Sequence, residues 1–172
     1  MKSKLGFVSI SLLIVFLLAT TGYIREFLFV NINEQLSFLW YGHETSNMSP
    51  TLSFLYGFDY WTIYYLKWAL TGLFSIIYLI ETSLALKHLF NSFYARETVF
   101  LYLTLIFIST ILFVGYSIFN KADDGYLLSR FFMGLAQSPV PLMILIPAIF
   151  LRTNATGSSW IHLRARYSGT KM

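Results

Sequence analysis

Four long apolar runs separated by short polar stretches organise the chain, at residues 5–23, 62–86, 98–119 and 127–151. A helix needs about 20 apolar residues to cross a hydrocarbon core of ~30 Å, and each run reaches that length with little help from its flanks. The pattern predicts an all-α integral membrane protein: a four-helix transmembrane bundle at 1–152, followed by a polar cytoplasmic tail at 153–172. The fourth run, YLLSRFFMGLAQSPVPLMILIPAIFLR, differs from the others because Pro139, Pro141 and Pro147 interrupt it beside a Gln137-Ser138 pair. A proline lacks the backbone donor and clashes with the carbonyl four residues earlier, so this segment reads as a helix broken partway across. Ser138 followed by Pro139 also has the form of a helix start, with serine as N-cap and proline in the first helical position. The part from Pro139 onward rises only about 20 Å at ~1.5 Å per residue, so the span needs the preceding half, and the break is expected to face the other helices.

The longest connection, 24–61, mixes charged residues with many aromatics. Within it Phe29, Ile32, Leu36, Leu39 and Trp40 recur at helical spacing. That spacing suits a helix lying in the headgroup region, and equally a lid packed on the ends of the bundle. GHETSNMSP, starting at Gly42, is turn-rich, and Phe54, Tyr56, Phe58, Tyr60 and Trp61 form an aromatic belt of the kind found at membrane interfaces. NKADDG, at 120–125, reads as a polar turn, and the tail as weakly ordered.

Composition sharpens this picture. The 172 residues are 56% hydrophobic and only 12% charged, half the charge of an ordinary soluble domain, and leave no room for a separate soluble domain. The net charge of +4 comes from dispersed residues without a basic stripe interleaved with aromatics, which argues against nucleic acid as a partner. Charge position instead sets topology. Lys2, Lys4, Lys87, Arg96, Arg152, Arg164, Arg166 and Lys171 fall on one side, and Arg25, Lys121 and Arg130 flank the other. The positive-inside rule then puts both termini in the cytoplasm and 24–61 outside. Ala19-Thr20-Thr21 makes a poor cleavage site, so the first run is expected to stay as a helix rather than be removed as a signal peptide. The absence of cysteine removes disulfides, thiol catalysis and cysteine-based metal sites. His43, His88 and His162 lack metal-ligand spacing, and no cofactor is expected.

Ionisable residues inside membranes are costly, so Lys67 and Glu81 are the first candidates for chemistry. Both lie near the ends of their run, where a long side chain reaches its own interface. Lys67 faces Asp59, Glu26 or Glu34 as partners, and Glu81 faces Arg96 or Lys87. Arg25 and Arg130 sit at the outer ends of the first and fourth runs, where Lys67 joins them. Three cations there suit a phosphate, a carboxylate or an anionic peptide terminus; the structural alternative pairs them with Glu26, Asp123 and Asp124 or with lipid headgroups. Gln137 and Ser138 beside the break serve either as donors to a substrate or as a polar plug that satisfies the kink, and the plug is preferred because the prolines remove two donors. No phosphate loop, serine-histidine-acid set, paired catalytic carboxylates or metal motif emerges, so no catalytic residue is assigned.

The order and spacing of these features resemble small membrane proteins associated with bacterial exosortase systems, especially the exosortase F system-associated type. The residues carrying the likeness are Arg25-Glu26-Phe27-Leu28-Phe29 closing the first run, the long aromatic loop, Tyr65-Leu66-Lys67 opening the second run, and Tyr126 and Arg130 ahead of QSPVPLMILIPAIFL. Ile146-Pro147-Ala148 matches the family's ending; Gln137-Ser138-Pro139 stands where the family has a tighter Gln-Pro, and the family's Tyr-Asp-Pro step is missing from the outer loop. The resemblance implies a multi-pass protein of the bacterial inner membrane. It would be a noncatalytic accessory whose partners are the lipid bilayer and an exosortase-type membrane protein or its substrate. The other reading of the residues is a small transporter or membrane-embedded enzyme that uses the break at 137–141.

Overall fold

The computed structural model of the chain describes residues 4–42, 45–118 and 122–168, with side-chain surroundings at 6–42, 45–115, 118 and 127–154. Lys2, His43, Glu44, Asn120, Lys121 and Lys171 lie outside the described residues, as do the side chains of Lys4, Asp123, Asp124, Tyr126, His162, Arg164 and Arg166. The described residues form helices and no strands: α1 (Lys4–Tyr41), a 3-10 helix at Pro50–Gly57, α2 (Tyr60–Phe90), α3 (Ala95–Ile118), α4 (Ala122–Ala136) and α5 (Val140–Ser168). Among them α1, α2 and α3 are long and apolar enough to cross a membrane, and α4 with α5 makes a fourth such unit bent by 59° at the break. Such helices suit a multi-pass membrane protein.

The largest departure from the hydrophobic pattern is α1, which continues without interruption through residues expected to start an outer loop. No glycine or proline stands between Gly22 and Gly42, so nothing in 24–41 breaks a helix once it is running. The helix stops where Gly42, at φ 65°, supplies the left-handed residue that commonly closes a helix; its N–H donates to Phe38 O at 3.0 Å. The segment at 50–57 then folds back onto the far half of α1. Asn31 Oδ1 accepts from Ser49 N–H at 2.6 Å, Ser46 donates to Gln35 Oε1 at 3.0 Å, and Met48, Leu52 and Leu55 pack with Ile32, Leu36 and Ile63 as one apolar cluster. This satisfies the helical spacing of Ile32 and Leu36 with a packed cap instead of a separate headgroup helix.

Asp59 starts α2, accepting from Trp61 N–H at 3.2 Å and from the Thr62 hydroxyl, which holds its carboxyl below the usual range. Asn91, at φ 52°, closes the same helix. Helices α1 and α2 run antiparallel, as three contacts along them show: Ile32 and Ile63 share a cluster at one end, Thr21 donates to Glu81 Oε1 at 2.6 Å midway, and Ser11 lies 3.1 Å from His88 Nε2 at the other end. His88 also stacks on Phe7. The pairing of Glu81 corrects the expectation of Arg96 or Lys87. Glu81 points along the α1 contact rather than toward the chain's basic turn, and its Oε2 is buried without a hydrogen-bond partner. Arg96's neighbour Glu97 pairs instead with Arg152 at 2.7 Å.

A second apolar cluster joins Leu18, Tyr78, Ala85, Leu86, Tyr102, Leu105, Ala136, Leu142, Leu145 and Ile149, and so ties all the long helices together. Helix α3 packs most extensively on α4, where the buried Ser109 hydroxyl donates to Ser129 O at 2.8 Å. Helix α1 presents Leu12, Val15 and Phe16, each more than 60% exposed, as a surface fit for hydrocarbon. The residues after 152, expected to be weakly ordered, continue α5 to Ser168.

A cationic cavity built on the broken helix

The break is made by three residues. Gln137 N–H still reaches back to Met133 O at 3.1 Å, and Ser138 Oγ donates to Leu135 O at 2.8 Å, taking the place of the donor that Pro139 lacks. Val140 N–H donates to Ser138 Oγ at 3.3 Å and Met143 N–H to Pro139 O at 3.1 Å, so the new helix starts at Val140, one residue later than the Ser-Pro pair predicts, with the serine hydroxyl still accepting at its start. Pro139 and Pro141 thus sit where a helix has orphan donors anyway, and Pro147 alone lies inside α5.

The Gln137 side chain, 2% exposed, points from the break into the helices. Its Nε2 donates to Thr71 O at 2.7 Å and Ser75 Oγ at 3.2 Å on α2, while its Oε1 accepts from Arg25 Nε of α1 at 3.0 Å. A single amide therefore joins α1, α2 and the α4–α5 joint. Arg25 is further oriented by Phe29 one turn on, whose ring centroid lies 5.3 Å from the guanidinium carbon, and by Glu26 at 3.7 Å.

Next to this joint lies an open cavity of about 230 Å³. Helices α1 to α4 contribute stripes spaced three or four residues apart: Glu26, Phe29, Val30 and Asn33 from α1; Tyr64, Lys67, Trp68 and Thr71 from α2; Thr110 and Phe113 from α3; Arg130, Met133, Gly134 and Gln137 from α4 and its end. The structure thus brings together the cations expected at one end of the helices, Arg25, Lys67 and Arg130, and adds Gln137 to the same wall. Ser138, Pro139, Pro141 and Pro147 do not line it.

Sequence reasoning missed the partners of Gln137. Thr71 and Ser75 are one turn apart on α2, and Ser75 donates to Thr71 O at 2.8 Å, a spacing that marks a small polar notch in an otherwise bulky face. Chemically the lining offers cations and hydroxyls beside an apolar wall. Among the described residues it carries three cations, the carboxylate of Glu26 and no histidine, and its serine hydroxyls Ser109 and Ser129 lie 3.0 Å apart, bonded to each other. Comparison of the chain with known protein families, with curated proteins and with solved structures finds no match in any of the three.

Proposed function

We propose that the chain is a four-span protein of the bacterial inner membrane, with both termini cytoplasmic, that acts as a noncatalytic accessory by holding an anionic group of a partner in the Arg25–Lys67–Arg130 cavity. The observation that carries this reading is the convergence of three basic side chains, from three different helices, on one open cavity whose wall is fixed by Gln137. Basic side chains gathered on one wall favour the arrival of an anion, and Arg presents a planar fork suited to carboxylate or phosphate. The likeness to exosortase-associated proteins supports an exosortase-type sorting component or its cargo as the partner. The break supports the accessory reading over a transporter. All three hydrogen bonds of the Gln137 amide are made within the protein, which makes it a plug rather than a set of donors awaiting a substrate.

The test is co-purification in mild detergent from the native host, with the natural chain and with Arg25, Lys67 and Arg130 changed to alanine. A stoichiometric sorting component should be recovered with the first and lost with the second, while thermal unfolding shows that the variant is folded. A lone chain that itself transports or modifies a substrate would overturn the proposal.

A further inference from the structure

The cavity is not uniformly polar. Arg25, Lys67 and Arg130 carry the charge, while Phe29, Trp68 and Met133 make an apolar flank that continues onto exposed surface, Trp68 being 47% exposed. Trp68 also ends a run of aromatic contacts descending α2, Tyr60 to Tyr64 at 6.1 Å and Tyr64 to Trp68 at 6.3 Å, and then crosses to Phe113 of α3 at 6.2 Å. Tyrosine and tryptophan in such numbers sit at headgroup level, where one side of a ring is wet and the other apolar. At about 230 Å³ the cavity is smaller than those that enclose a drug-sized molecule, ~300–1,000 Å³. It has room for a headgroup and the first part of a chain, with the remainder lying along the apolar flank.

Building on the anion-holding reading, we infer that the anion is the phosphate head of a membrane amphiphile, which enters sideways from the bilayer. Among the described lining residues three cations stand with one carboxylate, Glu26, a setting that suits an anionic head. A soluble anion would use the charges but leave the Phe29–Trp68–Met133 flank without purpose, whereas an acyl or isoprenoid chain uses both. A zwitterionic head brings its own cation into a site that already has three.

The experiment is thermal unfolding of the purified full chain in neutral maltoside micelles, titrated separately with dioctanoyl phosphatidic acid, dioctanoyl phosphatidylcholine, inorganic phosphate and a polyglutamate peptide. The expected result is a rise of several degrees with phosphatidic acid and little change with the other three. Lys67→Gln and Arg130→Gln should each raise the concentration needed at least tenfold, and Met133→Trp should abolish the rise by filling the apolar flank. Arg96→Gln, at the opposite end of the helices, should behave as the natural chain; the melting of each variant without additive shows whether it has folded. Protection by inorganic phosphate or polyglutamate equal to that by phosphatidic acid would overturn the amphiphile while leaving an anion-holding cavity. A rise with phosphatidic acid that none of the cavity variants alters would place the lipid elsewhere and overturn it too. No response to any of the four overturns both readings.

Discussion

Gln137 spends its amide on three helices at once, so it should be the residue least tolerant of an apolar replacement. Gln137→Leu keeps the volume but removes the partner of Arg25 Nε and two donors to α2, and leaves a part-buried guanidinium, 23% exposed, without its acceptor. Hydrogen bonds between membrane helices average about 0.6 kcal/mol, but an orphaned buried group costs about 1–3 kcal/mol, so a loss of about 2 kcal/mol is expected in denaturant unfolding from detergent. Gln137→Glu should recover only part of that loss, because a carboxylate still accepts from Arg25 but sets an oxygen against Thr71 O where Nε2 donated. A loss below ~0.5 kcal/mol for Gln137→Leu would show that the joint is held by apolar packing alone. The sequence made Gln137 visible as a polar residue beside prolines, and made Arg25 visible as a cation at a run's end. It did not pair them, because at a separation of 112 positions the chain carries no local signal of which helices are neighbours. Glu81 fails for the same reason: the chemistry of a carboxylate points to arginine or lysine, and a threonine on a packed helix face reaches one of its two oxygens instead.

At the scale of the element, the sequence located helices well where apolarity and breakers agree and less well where they differ. The apolar run of the first helix stops near Tyr23, but the absence of glycine and proline until Gly42 decides where α1 ends. Hydropathy reports what surrounds a helix and not whether the backbone continues. The break between α4 and α5 was legible because proline acts on the backbone itself. Pro139 denies a donor to Leu135 O, which the Ser138 hydroxyl takes over, and Pro141 denies one to Gln137 O. Changing both to alanine should restore those donors and let α4 run on into α5, reducing the 59° bend; spin-label distances between the two helices would measure the change. A bend unchanged in that variant would assign it to the anchoring of Gln137 on Thr71 and Ser75.

For the whole molecule, the predicted topology can be read with little interference because the chain has no cysteine. Single cysteines at Asn47 and Ser168 should label from opposite faces of the membrane, and labelling of both by one impermeant reagent from outside would end the four-span arrangement. Convergence of Arg25, Lys67 and Arg130 was legible at this scale alone: once helices are threaded through a slab, charges at like ends must approach each other, whatever the packing. Thr71, Ser75 and the aromatic flank of the cavity were not, since helix rotation about its own axis is set by contacts that hydropathy does not encode. The bond between Arg25 and Gln137 also imposes an order in time. Ribosomes add about 5–20 residues per second, so a separation of 112 positions keeps Arg25 waiting several seconds for this acceptor, with Glu26 and Phe29 as its local contacts. The broken helix therefore supplies its part of the joint only after α1 and α2 have been made, and a chain that stops before Gln137 leaves Arg25 Nε without the acceptor that holds it in the finished protein.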